Sequence, residues 1–156
     1  MKTKLSILIV LLCFACNHAN KPLTDADKNK IIGEAKGLIS AIFQACENCD
    51  PTELTATYMN SPDFVSLING VCDDYEHTVE KYPKLMSDFI SQKATIISEK
   101  YVVLDAQTVF YTSISKWDCK LKNDSIAVFE PVGLQFLLKK VDNQWKVLSW
   151  TEAYQL

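Results

Sequence analysis

From residue 94 to residue 154 the chain is almost continuous β-forming sequence, and this limits its possible folds more than any other feature. Residues 94–104, 107–117, 126–141 and 145–154 are rich in Val, Ile, Thr, Phe, Tyr and Trp, side chains that pack well on a pleated surface. Asp105-Ala106, Lys122-Asn123-Asp124 and Asp142-Asn143 separate these segments, and connections this short join antiparallel neighbours. The pattern predicts a meander of four long strands.

Upstream of residue 92 the apolar period lengthens to that of a helix. Thr24, with Asp27 three residues on, forms a start resembling a capping box. Ile31, Ile32, Ala35, Leu38, Ile39, Ile42, Phe43 and Cys46 then recur at helical spacing, which predicts a long amphipathic helix with one buried face. Asp50-Pro51-Thr52-Glu53 repeats the start signal and leads a short helix through Leu54 and Tyr58, stopped at Ser61-Pro62. Residues 64–68 and 71–75 flank Asn69-Gly70, which supplies the positive φ angles of a tight hairpin turn. Val79, Tyr82, Leu85, Met86, Phe89 and Ile90 return to helical spacing; Pro83 within them requires a kink, or a helix that starts there. Helices first and a meander after predict an α+β domain, its sheet curved around the first helix.

The N-terminus reads as a processing signal. Lys2 and Lys4 precede the apolar residues 5–14, and Ala15-Cys16-Asn17 follows. An apolar run of about ten residues is too short to span a bilayer and suits a signal peptide. Residues 1–15 are therefore expected to be removed. The site resembles a bacterial lipobox, in which Cys16 is acylated, although Cys13 stands where that motif prefers Leu. The alternative is plain secretion with Cys16 as an ordinary thiol. Acylation would make the protein a lipid-anchored resident of the bacterial cell envelope, with residues 16–23 as a tether and 24–156 as a single domain.

Charge narrows the partners. The chain carries 19 acidic residues against 16 lysines and has no arginine, and its formal charge of −3 becomes more negative by two once Lys2 and Lys4 leave. The lysines are scattered and form no basic stripe, which argues against nucleic acid. Four cysteines lie in the domain, at Cys46, Cys49, Cys72 and Cys119; export permits disulfides, and three pairings stay open. Cys46 and Cys49 have redox-motif spacing but close a helix, so a thiolate stabilised at a helix N-terminus is not expected. With His18 and His77 as the sole histidines, a metal site has little support. No phosphate loop or nucleophile motif is present, so no cofactor is assigned.

The order of elements, the segment Phe64-Val65-Ser66-Leu67-Ile68-Asn69-Gly70, and above all Phe136-Leu137-Leu138-Lys139-Lys140-Val141-Asp142-Asn143-Gln144-Trp145-Lys146-Val147-Leu148 resemble the NTF2-like superfamily. The nearest branch is similar to the SnoaL-like and calcium/calmodulin-kinase association-domain-like proteins, which include lipid-anchored bacterial members. The resemblance covers about residues 28–154. It implies an NTF2-like (cystatin-like) cone whose open end holds a pocket, and often a homodimer through the sheet. Members range from isomerases and dehydratases to binding modules, so fold alone does not assign function. Many relatives carry His or Arg on the last strand, where this chain has Ser149, Trp150, Thr151 and Glu152.

Residues two apart on a strand share a face, and by the resemblance the Trp150/Glu152 face lines the pocket. A carboxylate among aromatic walls can act as acid or base or recognise a cation; otherwise it faces water at the mouth. Asp74, following Asp73, lies near where steroid-isomerase relatives keep a catalytic Asp, and His77 could pair with it as in the dehydratase relatives. The plainer reading makes these residues a solvated turn and a helix cap. Tyr58, Tyr75, Tyr111, Trp117, Phe136 and Trp150 suit an apolar pocket with hydroxyl handles, whereas Trp145 fills the core beneath the last hairpin. The favoured function is a membrane-anchored, non-catalytic module whose Tyr58, Tyr75, Trp117, Phe136, Trp150 and Glu152 hold a small, largely apolar ligand, or which binds a partner protein. The alternative is a cofactor-free lyase or isomerase with Asp74, His77 or Glu152 as its base.

Overall fold

The computed structural model describes residues 22–154. Residues 1–15, expected to be a signal peptide, and Cys16, the expected acylation site, therefore lie outside the described residues, while Leu23, read as tether, packs against the core. Helix α1 runs Asp25–Glu47, α2 Pro51–Ala56 and α3 Tyr75–Met86. The strands are β1 Val65–Ile68, β2 Val71–Asp73, β3 Phe89–Asp105, β4 Thr108–Leu121, β5 Ile126–Val141 and β6 Gln144–Tyr154. They form one curved, unclosed sheet in the order β2-β1-β6-β5-β4-β3. The meander β3–β6 is antiparallel throughout, and β1 extends it by pairing parallel with β6, Ser66 opposite Trp150 and Ile68 opposite Glu152.

The local signals act as their chemistry requires. Thr24 Oγ1 accepts from the Asp27 amide while Asp27 returns a bond to Thr24, closing the capping box of α1. Asp50 accepts from the Thr52 and Glu53 amides at 2.9 Å each, with Pro51 opening α2. Asn69 and Gly70 take φ of 46° and 87°, which lets β1 fold straight back into β2. α1 lies across the concave face against β3, β4 and β6, burying Ile31, Ala35, Ile39, Ile42 and Phe43. Lys140 Nζ and Trp145 Nε1 both reach Glu34 Oε2, at 2.6 and 3.2 Å, and pin the β5–β6 hairpin to the middle of α1. Trp145 thus fills the core beneath that hairpin, only 9% exposed.

Four elements depart from the sequence reading. α3 neither starts at Pro83 nor runs to Ile90: it begins at Tyr75, because Asp74 Oδ1 accepts the His77 amide and caps it there, and Pro83 lies inside its last turns. Tyr75 consequently belongs to the helix and not to the second hairpin strand, which ends at Asp73. Phe89 and Ile90 belong to β3, because pairing of Phe89 with Leu121 overrides a spacing that looked helical. Likewise α2 ends at Ala56, before Ser61-Pro62: the Thr57 hydroxyl donates to the Leu54 carbonyl at 2.6 Å, and Tyr58 continues as a bridge to Val147. A buried 2.8 Å hydrogen bond between the Ser66 and Thr78 hydroxyls ties α3 to β1, setting the helix beside the open end of the sheet. Among the described residues, no helix is long and apolar enough to cross a membrane.

Candidate ligand-binding cavity

Strand alternation builds one wall of a cavity of about 250 Å³ at this end of the molecule. Trp150, Glu152 and Tyr154 of β6 project from one face, and their partners Phe136, Leu134 and Val132 of β5 line the same space. Trp117 and Cys119 continue the wall on β4, Phe89 and Gln92 on β3. The opposite wall is helical: Ile42, Phe43 and Cys46 come from α1, and Tyr82, Leu85 and Met86 from α3. Leu54, Tyr58 and Ile68 close the base.

Aromatic rings form the cavity's frame. Trp150 stacks on Phe136 at 6.2 Å and on Tyr58 at 6.3 Å, with Tyr82 tilted against it at 6.0 Å. Across the cavity Phe43 and Trp117 lie nearly parallel, 5.5 Å apart. Interlocked rings of this kind have few rotamers left, so the walls are rigid.

Within this frame Glu152 is the one charged side chain lining the cavity among the described residues. Protein surrounds it on nearly every side, yet it keeps partial exposure because the cavity itself admits solvent. No hydrogen bond or ion pair reaches its carboxyl from the described residues, and desolvation by burial pushes its pKa up from 4.5 to about 7. Burial also raises the Tyr58 and Tyr82 phenols well above their ordinary value, and the two hydroxyls interact with each other. Both therefore stay neutral and able to donate or accept. The Cys46 thiol rises to about 12 and Cys119 to about 11, again chiefly through burial, which leaves them protonated and poor nucleophiles. Gln92 organises this corner: its Nε2 donates to the Cys46 carbonyl at 3.0 Å and its Oε1 accepts from Cys119 Sγ at 3.5 Å. Among the described residues no cluster of side chains suits a metal ion.

Of the residues singled out from sequence, Tyr58, Trp117, Phe136, Trp150 and Glu152 converge on this cavity. Tyr75 does not; it packs edge-on against Phe64 and borders a shallow outer hollow with Thr55 and Lys146. Tyr111 is fully buried behind Phe136. Asp74 and His77 do meet, Oδ1 to Nδ1 at 2.8 Å, but both side chains are more than half exposed and neither lines the cavity. The His77 backbone amide and ring together hold the Asp74 carboxyl below its usual value, and Asp74 raises the imidazole above 6.5. The sequence reading did not single out Tyr82, Gln92 or Phe43 for the site. Tyr82 carried a signal, since its helical spacing with Met86 places it on the buried face of α3.

No family model matches the chain, and no curated protein matches it. Solved structures do. A nuclear transport factor 2 (NTF2-like) superfamily protein from Salmonella enterica serovar Typhimurium superposes with a TM-score of 0.73 at 11% identity, over 83% of this chain and 94% of that one. The protein has the NTF2-like fold. A ketosteroid isomerase-like protein from Erwinia carotovora matches this NTF2-like chain with a TM-score of 0.68 at 17% identity, over 82% and 98% of the two chains. A hexachlorocyclohexane dehydrochlorinase, type 2, matches with a TM-score of 0.70 at 11% identity, over 85% and 90%. At such identities the likeness establishes the fold and leaves function to the cavity.

Proposed function

We propose that this NTF2-like domain binds a small, largely apolar molecule in the cavity between α1, α3 and the sheet, and is held at an envelope membrane by an acylated Cys16. The observation that carries the binding reading is the cavity itself: rigid aromatic and aliphatic walls with a few converging polar groups, at Glu152, Tyr58 and Tyr82. That is the usual construction of a small-molecule site, and about 250 Å³ lies just below the range of roughly 300–1,000 Å³ typical of such sites, so its occupant is small. The neutral fluorescent probe N-phenyl-1-naphthylamine tests it: its emission should rise with wild type and not with Leu134→Trp, which fills the cavity from β5. Equal emission with both proteins, near-ultraviolet circular dichroism being unchanged, would place the probe elsewhere and remove the reading. Anchoring is checked separately by metabolic labelling with a fatty acid, which Cys16→Ala should abolish together with pelleting in membranes.

A second reading is supported by a specific feature. A carboxyl with a pKa of about 7 beside neutral phenols has the acid and base character that cofactor-free proton transfer requires near neutrality. In a lyase or isomerase of this kind Glu152 would take the proton and the Tyr58–Tyr82 pair would donate to the developing oxyanion. Turnover of a cavity ligand that disappears in Glu152→Gln while binding survives would establish it over the non-catalytic reading. The exposed apolar side chains Val102, Ile114 and Val128 on β3, β4 and β5 suit docking of a second copy through the sheet, which light scattering on the purified protein would detect as a doubled mass.

A further inference from the structure

We propose that the occupant of the cavity is an organic cation, a small apolar amine or quaternary ammonium, with Glu152 as its counter-charge and the rings of Tyr58, Tyr82, Phe136 and Trp150 as its walls. This rests on the small-molecule reading and names the ligand's chemical class.

The argument is one of charge inventory. Among the described residues the cavity lining holds one carboxyl and no lysine or histidine, and the sequence has no arginine to supply. An anionic ligand would enter a desolvated space with no positive partner and a carboxyl already present, an arrangement that costs heavily. A neutral ligand could hydrogen-bond to Glu152 but would leave its ionised form without a counter-charge. A cation satisfies the carboxyl and also lies against ring faces, whose negative quadrupoles attract it most strongly where water is excluded. The remaining polar groups fit the same sign: neutral phenol oxygens of Tyr58 and Tyr82 can accept from an ammonium as well as donate. The acidic excess of the chain as a whole steers cations inward.

The groups facing Glu152 make its charge the variable one. They are Cys46 from α1, Tyr58 following α2, Tyr82 from α3, Cys119 from β4 and Tyr154 from β6 itself, while β5 and β1 present only apolar side chains and β3 the amide of Gln92. All those phenols and thiols are shifted upward and stay neutral below pH 9, so the carboxyl alone changes charge between pH 5 and 9. A bound cation stabilises the ionised carboxylate. Binding should therefore strengthen as pH rises through the Glu152 titration and release a proton below it.

Isothermal titration calorimetry on the purified full-length protein, with benzylamine, benzyltrimethylammonium, benzyl alcohol and benzoate, tests this. At pH 8 at least one of the two cations should bind about tenfold more tightly than benzyl alcohol, and should lose about tenfold in affinity at pH 5.5. Benzyl alcohol should be insensitive to pH, and benzoate should not bind. Binding of both cations assigns the recognition to charge and ring faces; binding of benzylamine alone assigns it to hydrogen bonds from the ammonium. Glu152→Gln should abolish the preference for cations while still binding benzyl alcohol. The proposal is overturned if benzyl alcohol or benzoate equals the cations at pH 8, or if Glu152→Gln keeps the preference. In that event N-phenyl-1-naphthylamine separates the two readings: emission still sensitive to Leu134→Trp leaves the cavity reading standing, and emission indifferent to it removes both.

Discussion

Two carboxyl groups in this chain carry a signature of function, and they sit in opposite environments. Asp74 has a histidine three residues on, meets it at 2.8 Å and caps α3, all at the surface. Glu152 has no partner among the described residues and lies within an aromatic frame. The first is held below its ordinary pKa by bonds to His77; the second is raised to about 7 by desolvation. Asp74 is thus fully satisfied as an anion by local structure, and its charge does work for the fold. Glu152 is costly as an anion until something enters the cavity. What separates a structural carboxyl from a functional one here is unmet electrostatic demand, more than proximity to a histidine.

The largest effect expected from breaking this contrast is at the frame around Glu152. Trp150 is 4% exposed and packed against three rings, so Trp150→Ala should lose about 3–5 kcal/mol of stability by chemical denaturation, as large-to-small core changes do. The same substitution therefore cannot serve as a clean binding variant, and Glu152→Gln and Leu134→Trp take that role. Ala substitution of Tyr75, outside the cavity, should leave probe binding unchanged.

Next in size is the titration of Glu152 itself. Its folded-state pKa is about 7 against an ordinary 4.5, so between these values the folded protein holds a proton that the unfolded chain has released. Stability must then fall as pH rises from 4.5 to 7 and level off above, by as much as about 3 kcal/mol for a shift of that size. Glu152→Gln removes the titrating group. Its stability should lack the fall that Glu152 causes across that window and should exceed wild type at pH 8, measured by urea denaturation at a series of pH values. A wild-type profile already flat between pH 4.5 and 7 would show that Glu152 is solvated, and the contrast with Asp74 would vanish.

Local chemistry was legible in the sequence wherever a few adjacent residues decide the structure. Thr24 and Asp50 cap their helices, Asn69-Gly70 turns the hairpin, and the long strands of the meander follow from composition alone. Alternation on the last strand placed Trp150 and Glu152 on one face, and they share the cavity. What stayed hidden depends on distant partners. Phe89 and Ile90 fit a helix until β4 offers Leu121 as a strand partner. Tyr75 and Tyr82 lie seven positions apart on one helix, yet only Tyr82 reaches the cavity, because Asp74 fixes where α3 starts and the Ser66–Thr78 bond fixes how it lies. Gln92 and Cys119 carry no motif and meet only through strand register. A spacing of three residues reads equally as a dyad or a cap, and burial decides between them.

The smallest effect, and the sharpest test of the other half of the comparison, is at Asp74. If its carboxylate serves the fold, Asp74→Ala should lower the denaturant midpoint through loss of the α3 cap, which Asp74→Asn should largely preserve because an amide oxygen can accept the same His77 amide. The ring should respond separately. His77 is raised above 6.5 by Asp74, so its pair contributes fully below the unfolded value and is lost as pH rises through the folded one. Asp74 is lowered, so its share appears above 3.8 and is lost as pH falls through its folded value. Between those limits the pair is strongest, and in both variants the His77 proton resonances followed by NMR should titrate closer to 6.5. Ligand binding should be untouched, because neither residue borders the cavity. Loss of binding of N-phenyl-1-naphthylamine in Asp74→Asn, with the midpoint preserved, would mean that the surface pair reaches the cavity after all, and the distinction between a satisfied and an unsatisfied carboxyl would no longer mark the site.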